Sequence, residues 1–174
     1  MPKEILEGAG AEIKTASNSE PASRRTKGEK RFFSSTKKGT AIGADGGDTE
    51  VDFLVSEINL TEFDAVIFVG GPGCLKYLDN ENSYKVAKEA VSQDKILASI
   101  CISPVILAKA GILKGKKATV WSSPMDKSPV KILEENGTIY QNKPVVVDGK
   151  IITANGPAAV REFGQTIVEV LTKE

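Results

Sequence analysis

Apolar residues along the chain follow two rhythms, short unbroken runs and longer stretches repeating at helical spacing. The runs at 64–69, 95–101, 117–121 and 150–154 read as strands, rich in Val, Ile, Phe and Trp. Between them, Leu75, Leu78, Tyr84, Val86, Ala87, Ala90 and Val91 recur on one helical face. Ser103-Pro104 opens a second helix that Gly111 closes, and Ser128-Pro129 opens a third, carrying Val130, Ile132 and Leu133 up to Asn136-Gly137. The last helix starts after Asn155-Gly156-Pro157 and keeps Val160, Phe163, Ile167, Val170 and Leu171 on one side. Short strands are expected at 138–140 and 144–147, the latter joined to 150–154 by an Asp148-Gly149 hairpin.

The opening of the chain is less regular. Residues 2–10 read as a helix and 11–16 as a strand alternating Ala, Ile13 and Thr15 against Glu12 and Lys14. Residues 17–38 lose all periodicity and carry Arg24, Arg25, Lys27, Lys30, Arg31, Lys37 and Lys38 against Glu20 and Glu29, the text of a solvated basic insertion. The glycine-rich stretch 39–47 lacks the spacing of a phosphate-binding loop and reads as a turn between extended segments.

Strands alternating with helices predict a single α/β domain over 1–174, built on a doubly wound, mostly parallel sheet with right-handed crossovers. A helix stands where such a chain usually begins with a strand, so the sheet is expected to lack its first strand. In this class, ligands bind at the carboxyl ends of the strands. Four turns fall there: Gly70-Gly71, Cys101-Ile102, Trp121-Ser122-Ser123 and Asn155-Gly156-Pro157. Cys101 is the candidate nucleophile, because a thiol on a tight strand-to-helix turn lies at the positive end of a helix, where its pKa falls. The Gly70-Gly71 pair allows backbone N–H groups to face a crevice and hold a developing oxyanion. Cys74, just beyond, reads as packing.

Composition narrows the chemistry. The 23 basic and 23 acidic residues balance, so no overall basic field recruits nucleic acid or an anionic membrane. No apolar run has the length of a membrane span. Two cysteines make no disulfide framework, which favours the cytoplasm. The chain contains no histidine at all, which removes the usual general base and the commonest zinc ligand.

Four segments taken together, Phe-Val-Gly-Gly-Pro-Gly, Ala-Ser-Ile-Cys-Ile-Ser-Pro, Ala-Gly-Ile-Leu-Lys-Gly-Lys-Lys-Ala-Thr and Val-Val-Val-Asp-Gly-Lys-Ile-Ile-Thr-Ala-Asn-Gly-Pro, resemble the ThiJ/PfpI family. The match runs from about residue 42 to 171, with 2–16 similar to the family's first helix and second strand. The resemblance implies a flavodoxin-like, class I glutamine-amidotransferase-like sandwich that forms homodimers or larger homo-oligomers. It implies that Cys101 is the nucleophile and that the N–H groups of Gly71 and Ile102 are oxyanion donors. Gly70, Trp121, Asn155, Gly156 and Pro157 would border the pocket. The chemistry implied is of glyoxalase, deglycase or hydrolase type on small electrophilic carbonyls, linked to stress protection, with no cofactor or metal. A non-catalytic redox sensor, chaperone-like protein or small-molecule binder is the alternative. The sequence departs from the family's pattern in three ways: Ile102 stands where protease-like members have His, no opening strand with its acidic residue precedes Met1, and 17–38 has no family equivalent. Without histidine no Cys-His dyad can be assembled within this chain, which makes a Cys-His protease the least favoured of these activities.

Overall fold

In a computed structural model, residues 2–17, 39–42 and 48–173 are described. The chain begins with helix α1 (Pro2–Gly8), followed by strands β1 (Ala16–Ser17), β2 (Gly39–Ile42), β3 (Asp48–Val51) and β4 (Phe53–Leu54). Strand β5 (Ala65–Val69) leads through α2 (Cys74–Tyr77) and α3 (Glu81–Ser92) to β6 (Ile96–Ile100) and α4 (Pro104–Lys109). Then come β7 (Lys117–Ala118), α5 (Ser128–Glu135), β8 (Ile139–Tyr140), β9 (Val145–Asp148), β10 (Ile151–Ala154) and α6 (Val160–Leu171).

The main sheet has the order β5-β6-β10-β9, with the first three strands parallel and β9 antiparallel as the hairpin partner of β10. All five residues of β6 are buried, as expected of a central parallel strand whose two faces are both covered. One face packs Phe68, Leu97 and Ile151 against Val86, Ala90, Ile106, Leu107 and Leu133 of α3, α4 and α5. The other packs Ile96, Ala98, Ile100, Ile152 and Ala154 against Leu6 of α1 and Phe163 and Ile167 of α6. Side chains that alternate along β6 thus feed two separate cores, and the fold is a doubly wound α/β sandwich.

Three elements differ from the sequence expectation. The strand expected over 11–16 is paired only at Ala16–Ser17, with β4. Asp52 Oδ2 accepts the Thr15 N–H at 2.9 Å, so a carboxylate takes a donor that a ladder would use, while Ala11 and Ile13 still pack on the core. The strand expected over 117–121 stops at Ala118, because the Thr119 N–H goes to Thr153 Oγ1 and the Trp121 N–H to the Cys101 carbonyl, both at 2.9 Å. The single helix expected after Gly73 is two, since the Asn80 side chain caps a new start by accepting from the Asn82 and Ser83 N–H groups. Ser17, expected as the first residue of the basic insertion, is instead the last residue of β1. Positions 18–38 lie outside the described residues. The expected turn at 39–47 is in part seen as an antiparallel pairing of β2 with β3, and 43–47 lie outside the described residues.

At the open side of the main sheet, β5 bonds to β6 through its even-numbered residues, since Ile96 N donates to Asp64 O and Gly70 N to Ile100 O. The amides of Ala65, Ile67 and Val69 therefore face away from β6. No strand pairs there among the described residues.

Candidate active site

Strands β5, β6 and β10 run parallel, so their carboxyl ends lie side by side and bring Gly70, Cys101 and Asn155 to one edge. Cys101 is the residue after β6 and has a left-handed backbone, φ +68°. Only one other described non-glycine residue, Asp94, has a positive φ. For a residue with a Cβ this conformation costs about 1–2 kcal/mol, so the surroundings must impose it. Cys101 N–H donates to Ala154 O and Cys101 O accepts from the Trp121 N–H, each at 2.9 Å. One bond ties the turn to β10, the other to the segment leaving β7.

Gly70 closes the third side. A Cβ there would lie 2.7 Å from Ile100 O, Ile102 N and Ser103 N. Only a hydrogen at that position lets the end of β5 sit against the turn. Gly71, by contrast, faces open space. Gly156 is buried with φ +145° and ψ −162°, a region open in practice to glycine alone, and the Cβ it lacks would touch Trp121 Cδ1 at 3.4 Å. Trp121 and Asn155 are half-buried and Pro157 is exposed. Gly70, Cys101, Ile102, Trp121 and Gly156 are thus linked through contacts around one turn. For Asn155 the bond observed is N–H to Pro144 O, which closes the β9–β10 hairpin end.

The Cys101 thiol is half-buried, and burial pushes its pKa up, opposed by a hydrogen bond from the Ile102 N–H. This reverses the direction expected from the sequence. Helix α4 has only six residues, and one amide does not outweigh the loss of hydration at the sulfur. Among the described residues, burial and the Ile102 amide are the influences on this thiol. The Gly71 backbone lowers the pKa of the nearby Cys74 thiol, against the larger effect of burial. Cys74 is 7% exposed, and burial pushes its thiol up to about 11, which fits its reading as packing. Among the described residues no cluster of three His, Cys, Asp or Glu could hold a metal ion, and no helix is long and apolar enough to cross a membrane.

Sequence reasoning missed Ser103. It occupies the N-cap position of α4, yet its hydroxyl makes no cap bond. The side chain turns back into the sheet, within 2.8 Å of Ser99 Oγ, Phe68 O and Ile100 O. The available signal was weak: a serine before proline reads as a helix cap whether or not the hydroxyl is used that way.

A doubly wound α/β sandwich with a strained cysteine on the carboxyl edge of its central strand defines a thiol-elbow protein. The chain belongs to the DJ-1/PfpI family, whose sequence model matches residues 1–170. It is 39% identical over 140 residues to an uncharacterised protein of Methanocaldococcus jannaschii, covering 80% of this chain and 67% of that one. A deglycase of Pyrococcus horikoshii is 30% identical over 147 residues, 84% of this chain and 86% of its own. A glutathione-independent glyoxalase of Caenorhabditis elegans is 30% identical over 128 residues, 74% and 66% of the two chains. The crystal structure of a ThiJ/PfpI domain protein from Brachyspira murdochii superimposes with a TM-score of 0.83 at 33% identity, covering 99% of this chain and 87% of that one.

Proposed function

We propose that the protein is a cysteine-dependent enzyme of glyoxalase or deglycase type, acting on small electrophilic carbonyl compounds through Cys101. The observation that carries this reading is the φ of +68° at Cys101, a strained backbone that the end of β5, β10 and the Trp121 segment jointly maintain. Such strain is unnecessary for a packing cysteine and serves to present a sulfur. The thiolate adds to an aldehyde carbon, forming a C–S bond. The carbonyl electron pair moves to oxygen, which then takes a proton. The Ile102 N–H, which favours the thiolate, is a backbone donor beside that addition. With no histidine in the chain, the thiol proton leaves to solvent or to substrate oxygen, and attack quickens as pH rises. The names of the Pyrococcus horikoshii and Caenorhabditis elegans relatives support the reaction class.

The upward shift of the thiol favours a second reading, in which the same turn serves a non-catalytic redox sensor, chaperone-like protein or small-molecule binder. Lactate formation from methylglyoxal separates the two. The enzyme reading expects turnover that is abolished in Cys101→Ser, and turnover equal in the two proteins overturns it. The reading extends to a homodimer or larger homo-oligomer of a single domain in the cytoplasm, with a small electrophile as its partner. Sedimentation equilibrium tests the assembly, and a monomer at micromolar concentration would remove that part.

A further inference from the structure

Ser103 is fully buried and lies at the junction of three segments. Its hydroxyl is 2.8 Å from Phe68 O at the end of β5, 2.8 Å from Ile100 O at the end of β6, and 2.8 Å from Ser99 Oγ within β6, and it accepts the Ile100 N–H at 3.2 Å. One hydroxyl has a single proton and two lone pairs. The arrangement uses them all: the Ile100 N–H and the Ser99 hydroxyl donate to the oxygen, and its own proton is shared between the two carbonyls. Phe68 O and the Ile100 N–H lie at the rung of the β5–β6 ladder just before its final bond, Gly70 N–H to Ile100 O. Ser103 therefore grips that rung from the far side of the turn. A serine needed only to begin α4 would cap that helix instead, and it does not.

We propose that Ser103, supported by Ser99, is a positioning residue that holds Cys101 in its left-handed conformation and keeps the sulfur on the Ile102 N–H. The proposal rests on the reading of Cys101 as a presented nucleophile. The turn contains only Cys101 and Ile102 between the ladder rung and Ser103, so a hydroxyl fastened to the rung fixes both ends of a two-residue link. Alanine at 103 fits the same space but leaves that rung alone against the strain at Cys101. The turn then relaxes toward ordinary φ, and the sulfur moves off the amide.

The test is the pH dependence of iodoacetamide labelling at Cys101 in the full chain, with Cys74 replaced by Ala throughout so that one thiol reports. Ser103→Ala is expected to raise the apparent pKa of Cys101 and slow labelling at neutral pH by roughly three- to tenfold, one pKa unit being tenfold in thiolate. Ser99→Ala, which removes one of the hydroxyl's four partners, is expected to produce a smaller shift in the same direction. Ile167→Val, a core change in α6, supplies a variant of reduced stability with the elbow untouched, and its labelling profile is expected to match the parent. A Ser103→Ala profile that superimposes on the parent overturns the proposal, as does an equal slowing in Ile167→Val. The readout is independent of turnover: loss of methylglyoxal activity in the parent would count against the enzyme reading alone, while the labelling profiles would still decide the role of Ser103.

Discussion

The Trp121 N–H donates to the Cys101 carbonyl at 2.9 Å, so the elbow is held from outside the main sheet by the segment that follows β7. Trp121 is in turn seated against Gly156, whose missing Cβ would touch Cδ1 at 3.4 Å. The turn after β10 thereby flanks the indole of the residue that makes one of the two backbone bonds of Cys101.

Replacing Gly156 by Ala tests this chain of contacts. A φ of +145° with ψ −162° costs an L-residue about 1–3 kcal/mol, and the new methyl would come into van der Waals contact with the indole. Gly156→Ala is expected to lose that much stability in urea denaturation. It is also expected to shift the emission of the chain's one tryptophan in the folded state. Unchanged emission would show that the indole is seated independently of Gly156.

Gly70→Ala is expected to be more damaging at the elbow. Its Cβ would stand 2.7 Å from three backbone atoms of the turn, and backbone cannot swing aside as a side-chain tip can. A loss of about 1–3 kcal/mol is expected from overpacking alone. Slower iodoacetamide labelling of Cys101 should accompany it, because Ile102 N is one of the atoms displaced. Gly71→Ala, with open space at the same position, is the matched substitution for stability and is expected to stay within about 0.5 kcal/mol of the parent. Equal losses in the two variants would contradict the close approach at Gly70.

Much of this site could be read from the sequence, and the part that could not has a common cause. The alternation of apolar runs with helical stretches locates β5, β6, β10 and the helices between them, because burial on both faces leaves a continuous Val/Ile/Leu signature. It also brings Gly70, Cys101 and Gly156 to one edge, since parallel strands must end together. What periodicity cannot report is competition for backbone donors. The strand expected over 117–121 ends early because Thr153 Oγ1 and Cys101 O claim the N–H groups of Thr119 and Trp121. The Ser103 hydroxyl likewise faces the sheet instead of the helix it precedes. The direction of the Cys101 shift was misjudged for a related reason: a helix start is visible in sequence, whereas the dehydration of a sulfur is set by tertiary packing.

Cys74 gives the protein an alkaline weakness. Burial raises its thiol to about 11 from an unperturbed value near 9. The neutral form is favoured in the folded state, so the stabilisation is fully present below the unfolded pKa and is lost as pH rises from about 9 through 11. Each unit of difference corresponds to about 1.4 kcal/mol, making the loss on the order of 2–3 kcal/mol across that window. Denaturation curves at pH 8, 9, 10 and 11 are expected to show the parent falling more steeply than Cys74→Ala, although the variant starts lower because of the cavity it creates. Parallel slopes would mean that the thiol ionises equally easily in both states.

The open side of β5 carries the last prediction. Ala-Val-Ile-Phe-Val contains no charge and no proline, its odd-numbered amides face away from β6, and Val69 is 60% exposed at its end. Edge strands in soluble proteins are usually guarded by a charge, a proline or a bulge, and an unguarded apolar edge is a template for pairing with another chain. Val69→Lys places a charge on that edge at a position where little apolar burial is lost. Its stability in urea is expected to remain within about 0.5 kcal/mol of the parent, because the side chain is largely exposed. Light scattering during heating is expected to begin later and rise less. If scattering is unchanged while a charge placed elsewhere on the surface suppresses it, association does not proceed through β5.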